Sequence, residues 1–194
     1  MAAASRKHQG REKFIANGLL TKTTDFFTSP RINYNMIPDV NDIQGDQLAA
    51  LSELVCYLRA QVSREATGNR EIRDIPQIEQ TGRVGKGLPA IVRYSALIMR
   101  RDHIIDDDMA IAKRVAIDCL PHTRSSIITA IPPDDSIGAV DLMKLTNINE
   151  STLRWNMDEL EALGVIIKET GGVETSYRMS AHIREMWKIA FPET

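Results

Sequence analysis

The sequence predicts a mainly α-helical fold that ends in two helices joined by a tight turn and followed by a β-hairpin. Apolar residues recur every three or four positions over most of the chain beyond residue 46, which is the period of amphipathic helices. Near the C-terminus, two short apolar runs flank Gly171-Gly172, a pattern typical of a hairpin. The 194 residues, 43% hydrophobic and 26% charged, are enough for one or two domains that each bury a core.

Composition excludes several classes of protein. Its ordinary balance of apolar and charged residues argues against a chain that is disordered throughout. Cys56 and Cys119 are the only cysteines and do not form a CxxC motif, so a disulfide scaffold is excluded and a reducing compartment is expected. No apolar run approaches the length of a membrane span. We therefore expect a soluble, cytoplasmic protein with no membrane partner.

Three segments are predicted along the chain. Residues 1–45 are an irregular N-terminal segment with one short strand, indicated by the alternation of Ile32, Tyr34 and Met36. Residues 46–121 are a helical module with helices over about 46–66, 88–101 and 106–120. The first of these has one apolar stripe with spacings of three and four: Leu48, Leu51, Val55, Leu58 and Val62. Asp46 and Asp106 are the expected caps of the first and third helices.

Residues 122–194 change in character. Helices are predicted over about 123–131, 136–145 and 150–163, with Asn149 as the cap of the third and Gly164 as its left-handed end. The hairpin follows, with strands over about 165–167 and 176–179. Ser180 is expected to cap a final helix that runs to residue 189.

The stretches 149–154 (NESTLR) and 160–166 (LEALGVI) resemble the recognition helix and the start of the wing in winged-helix DNA-binding domains. The resemblance covers about 123–179 and implies a winged helix that binds double-stranded DNA. Such a helix places its N-terminal, solvent-facing side chains in the major groove. The side chains that would meet DNA are Asn149, Ser151, Arg154 and Trp155 on the helix. Lys168 and Arg178 on the hairpin would contact phosphates.

The net charge of residues 122–194 argues against DNA binding by this segment. Residues 122–194 carry seven Lys or Arg and eleven Asp or Glu, a net charge of −4, whereas residues 1–121 have a net charge of +2. An acidic module gains little from counterion release on a duplex. Contact with another protein through the same winged helix is therefore an equal alternative.

The upstream sequence is similar to the C-terminal part of minichromosome maintenance (MCM) type AAA+ helicases. Residues 25–39 (DFFTSPRINYNMIPD) resemble the region of the family's arginine finger, which places Arg31 at the finger. Residues 79–83 (EQTGR) and 104–110 (IIDDDMA) resemble the lid, with Arg83 at the sensor-2 position. The resemblance implies that both arginines act on a nucleotide held by another chain.

No residue pattern indicates catalysis by this chain alone. A P-loop around Lys86 would need Gly at position 80 and Ser or Thr at 87, where the sequence has Gln80 and Gly87. No cofactor is expected, and the four histidines lack the spacing of metal ligands. The enzyme assignment is therefore open, and not favoured without a partner that carries the P-loop.

The preferred hypothesis is a nucleic-acid-binding module related to the C-terminal part of an MCM-like replicative helicase. Its partners would be DNA and an AAA+ ATPase, or further copies of the chain. Two alternatives remain: a winged-helix transcriptional regulator that dimerises through the stripe of the first helix, and a protein-interaction adaptor.

Overall fold

The computed structural model describes residues 17–25, 28–29, 36–65, 71–74, 76–170 and 175–192. The predicted strand positions Ile32 and Tyr34, and the predicted finger Arg31, lie outside these residues. So does the Gly171-Gly172 turn of the predicted hairpin.

The described chain is mainly helical with a small antiparallel sheet, as predicted. Residues 17–25 are helical (α1), and the remaining elements follow in this order: α2 Asp42–Arg59, α3 Val84–Ile98, α4 Asp106–Asp118, α5 His122–Ala130, β1 Ile137–Gly138, α6 Ala139–Thr146, α7 Glu150–Ala162, β2 Ile166–Glu169, β3 Ser176–Met179 and α8 Ala181–Ala190. The strands lie in the order β1-β3-β2. Where the sequence predicts a helix from Ser136, the chain first forms β1, which pairs with β3.

Helix α2 begins and ends earlier than predicted. Its cap is Asn41 rather than Asp46: the Asn41 side chain accepts a hydrogen bond from the Gln44 amide at 2.8 Å, and the Gln44 side chain accepts one from the Asn41 amide at 3.2 Å. This reciprocal pair satisfies two of the donors left open at a helix start. The helix ends at Arg59, and the chain beyond it forms a narrow antiparallel ribbon.

Helix α3 also differs from the prediction of a start near residue 88, because it starts at Val84 and includes Gly85 and Gly87. The amide of Gly85 donates to the Thr81 carbonyl at 2.6 Å, and that of Gly87 donates to the Arg83 carbonyl at 3.1 Å. Pro89 is consequently the sixth residue of the helix, whereas a start at residue 88 would place it in the first turn.

The apolar stripe of α2 lies at the centre of the molecule. Leu48, Leu51, Val55 and Leu58 are each no more than 2% exposed. Helix α2 packs against α3, α4 and α8. Residues from both sides of the predicted boundary at 121/122 belong to one hydrophobic cluster. The stripe is therefore used inside the chain and offers no surface for the predicted dimer.

The local signals around α7 are confirmed. The Asn149 side chain caps the helix through the Thr152 amide at 2.9 Å, and Gly164 follows the helix with a φ of 69°. Ser180 has the extended backbone of a cap ahead of α8, although its hydroxyl makes no capping hydrogen bond.

Candidate nucleic-acid interface

Helix α7 has one buried face and one exposed face, as its sequence predicts. Leu153, Met157 and Leu160 are buried in the core. Ser151 and Arg154 are exposed, and Trp155 is 36% exposed. The amphipathic spacing therefore presents the predicted row of side chains outward while the opposite face anchors the helix.

The start of α7 is held rigidly by its cap. The side-chain oxygen of Asn149 accepts from the Thr152 amide and also from the Ser151 hydroxyl, both at 2.9 Å. The Ser151 oxygen retains its capacity to accept a further hydrogen bond. Asn149 and Ser151 thus form one hydrogen-bonded unit at the first turn.

An open groove of about 560 Å³ runs beside this first turn. Its walls are formed by Arg64, Asn149, Glu150, Ser151, Arg154, Trp155 and Asp158. Two guanidinium groups and two carboxylates line the groove, so it is polar and mixed in charge, with one aromatic wall. Arg64 comes from outside the predicted winged helix and is not among the predicted site residues.

Arg64 contacts α7 in three ways. Its guanidinium carbon lies 3.8 Å from the centre of the Trp155 ring. It donates from Nη2 to the Trp155 carbonyl oxygen at 3.0 Å, and its Nε pairs with Glu159 at 3.2 Å. No apolar pattern could have revealed this contact, because the segment around Arg64 is polar and lies 91 residues from Trp155 in the sequence.

The two cations predicted on the hairpin point to opposite faces. Lys168 lies across from Tyr177 and Ile167 across from Arg178, and side chains alternate between the faces of a strand. Lys168 therefore lies on the same face of the sheet as Tyr177, which is buried on the side toward α7. Arg178 lies on the opposite face. Arg178 is paired with Glu169 there. The structure therefore brings only Lys168 to the side of α7.

Electrostatics link Tyr177 to the exposed residues of α7. Burial is the main cause that raises the pKa of Tyr177, and the carboxylates of Asp158 and Glu161 raise it further, while the Arg154 guanidinium lowers it. These effects require the charges to lie near the phenol. This side of the hairpin therefore lies near Arg154, Asp158 and Glu161 of α7.

Arg83 lies elsewhere, exposed at the residue before α3. The nearby groove of about 640 Å³, between the starts of α2 and α3, is lined by three carboxylates, Asp42, Asp46 and Glu53, together with Thr81 and Gly85. The amides of Gly85 and Gly87 are engaged in helical hydrogen bonds. These features do not favour a phosphate-binding site beside Arg83.

No protein-family model, curated protein or solved structure matches the chain. Among the residues that the structure describes, no three His, Cys, Asp or Glu side chains come together as metal ligands would. Within the same residues, no helix has both the length and the apolar character needed to cross a membrane.

Proposed function

We propose that residues 122–192 are a winged-helix domain that binds double-stranded DNA through α7. The order α5-β1-α6-α7-β2-β3, with β3 in the middle of the sheet, supports this assignment. A tight turn whose Asn147 has a φ of 54° joins α6 to α7, as in a helix-turn-helix. In this arrangement α7 is the recognition helix.

The observation that carries the proposal is the outward row of Ser151, Arg154 and Trp155 on a helix whose other face is buried. An exposed Arg suits the edge of guanine, where its forked donors bind two acceptors. Ser151 can bond to either a base or a phosphate. Lys168 lies on the same side and supplies a phosphate contact, whereas Arg178 does not belong to this surface.

Fluorescence polarisation of a labelled duplex at several salt concentrations tests the proposal. With Lys168 as the phosphate-facing cation and Arg154 at a base edge, the slope of log K against log salt is expected to be about −1. Arg154→Ala should weaken binding by about 1–3 kcal/mol. Arg114→Ala, an exposed position on α4, removes the same charge elsewhere and should leave binding unchanged. Equal effects of the two variants would reject α7 as the reader.

We also propose that α2–α4 form the lid-like module of an MCM-like AAA+ helicase, which is not catalytic by itself. The order of a helical module followed by a winged helix supports this relationship. Arg31 and Arg83 would then act on nucleotide bound by a partner ATPase. Arg83→Ala should lower the ATPase rate only in the presence of a partner that carries a P-loop, and no effect there would remove this role.

Acidic side chains on α7 favour a second candidate, a protein-interaction adaptor. Glu150 and Glu161 are exposed and Asp158 is half-buried, so the helix carries more acids than bases. Carboxylates repel the phosphate backbone and attract basic partners. If the wild-type chain fails to bind the duplex even at low salt, both DNA hypotheses fall and the adaptor remains.

A further inference from the structure

We infer that Arg64 is a positioning residue of the proposed DNA interface, which it serves by fixing the Trp155 indole and the turn of α7 from Trp155 to Glu159. The inference rests on the proposed function of α7. It adds a residue from the helical module, outside the winged helix, to the machinery that reads DNA.

The backbone around Arg64 is fixed by the ribbon that follows α2. The Glu65 amide donates to the Glu71 carbonyl at 3.0 Å, and the Arg73 amide donates to the Ser63 carbonyl at 2.9 Å. Arg64 lies across from Ile72, and both are half-buried.

The flanking ribbon positions are exposed on both strands: Ser63, Glu65, Glu71 and Arg73. This alternation is what a two-stranded ribbon shows when one face is covered. The covered face is the one that carries Arg64, and α7 covers it through the contacts of that side chain.

The Arg64 side chain uses both its flat face and its edge on α7. The flat face lies over the indole of Trp155, and the edge donates to the Trp155 carbonyl and to the carboxylate of Glu159. Trp155 and Glu159 are one helical turn apart, so Arg64 spans that turn. Only a planar guanidinium can stack and donate in several directions at once, which an ammonium cannot do.

Burial distinguishes positioning from direct contact with DNA. The Arg64 side chain is only 11% exposed, with its guanidinium held against Trp155 and Glu159, so it is not placed to reach a phosphate. It acts instead through Trp155, which forms a wall of the groove beside Ser151 and Arg154. Ser151 and Trp155 are themselves one turn apart on the exposed face, so the fixed indole defines where a base edge can approach.

Fluorescence of Trp155 gives a direct readout. The chain has two tryptophans, so Trp187→Phe leaves Trp155 as the sole reporter. In that background, Arg64→Ala should shift the emission to longer wavelength and increase acrylamide quenching. It should also weaken duplex binding by about tenfold, the scale of a partly desolvated cation–π contact. The salt slope should stay unchanged, since no phosphate contact is lost.

Two further variants complete the design. Arg64→Lys keeps the charge but cannot stack flat on the indole. It should therefore keep the ion pair with Glu159 but restore little of the wild-type Trp155 emission. It also tests the inference if Arg64→Ala fails to fold. Arg73→Ala removes a cation from the exposed face of the same ribbon and should leave both the emission and the affinity unchanged.

Three results would overturn the inference: an unchanged Trp155 emission in Arg64→Ala, full rescue of spectrum and affinity by Arg64→Lys, or a salt slope reduced by about one, which indicates a direct phosphate contact. Failure of the proposed DNA binding would give a different set of results. In that case the wild-type chain does not bind the duplex at low salt, while the fluorescence of the Arg64 variants still reports whether Arg64 fixes Trp155.

Discussion

The carboxylate of Glu159 on α7 lies 2.7 Å from the guanidinium of Arg124 on α5. A second nitrogen of Arg124 donates to the carbonyls of Leu58 and Ala60, at 2.9 and 2.7 Å. These carbonyls belong to the C-terminal end of α2, where acceptors lack helical partners. One arginine therefore joins the end of the central helix to the proposed recognition helix.

Removing Arg124 should be strongly destabilising. The Arg124 and Glu159 side chains are 8% and 13% exposed. Arg124→Ala leaves two carbonyls and part of a carboxylate without donors, so we expect a loss of about 3–5 kcal/mol in the free energy of unfolding by urea. Lys144→Ala breaks an exposed pair with Asp141 and should cost less than about 1 kcal/mol. Similar losses in both variants would contradict a structural role for the buried pair.

Asp108 should matter more for α4 than its neighbour Asp106. The Asp108 carboxylate is fully buried and accepts from the Ile105 amide at 3.0 Å, the Ser95 hydroxyl at 2.6 Å and Arg101 at 2.7 Å. Asp108→Ala should therefore lower the free energy of unfolding by about 3 kcal/mol or more. Asp106→Ala removes only an exposed charge near the helix start, at a cost of about 0.3–1 kcal/mol. Thermal unfolding of both variants at pH 7 distinguishes them, and an Asp106 variant that loses as much would contradict this assignment.

The sequence predicted helices more reliably than their ends. The 3.6-residue period located α2, α4 and α7 because it follows directly from burial of one helix face. Caps were harder to predict where acidic and amide side chains cluster. Asn41 with Gln44 and Asp46 are both candidate caps for α2, and Asp106 and Asp108 are both candidates for α4. Only the fold shows which side chain reaches the open amides.

The candidate site was predictable only where it is local. Asn149, Ser151 and Arg154 follow from the period of one helix. Arg64 reaches α7 through a ribbon formed from polar residues, and no hydrophobic pattern marks such a contact. The faces of Lys168 and Arg178 depend on strand register, because a shift of one residue reverses every side chain.

Gly164 should resist substitution although there is room for a side chain. Its φ of 69° lies in the left-handed region, and an added Cβ would meet nothing within 4 Å. Gly164→Ala should therefore cost about 1 kcal/mol, all of it from backbone strain. Gly87→Ala, inside α3 and equally unobstructed, should instead stabilise the protein by up to about 1 kcal/mol. Chemical denaturation measures both, and a shift of the same sign in the two variants would contradict the conformational explanation.

Alkaline pH should weaken the fold partly through Tyr177. Burial, aided by Asp158 and Glu161, raises the pKa of this phenol above its ordinary value of 10.0. The unfolded chain therefore releases the proton first as the pH rises, so the contribution of Tyr177 to stability is complete below pH 10 and falls above it. Tyr177→Phe should reduce the loss of stability measured by urea unfolding between pH 9 and 11.

Tyr94→Phe is the matched control for this prediction. Tyr94 lies on α3 and is 49% exposed, so its phenol reaches water in the folded chain. Its removal should leave the alkaline part of the stability profile parallel to that of the wild type. If the two variants change the profile equally, or if Tyr177→Phe leaves it unchanged, burial of the phenol against the acidic side of α7 does not control this transition.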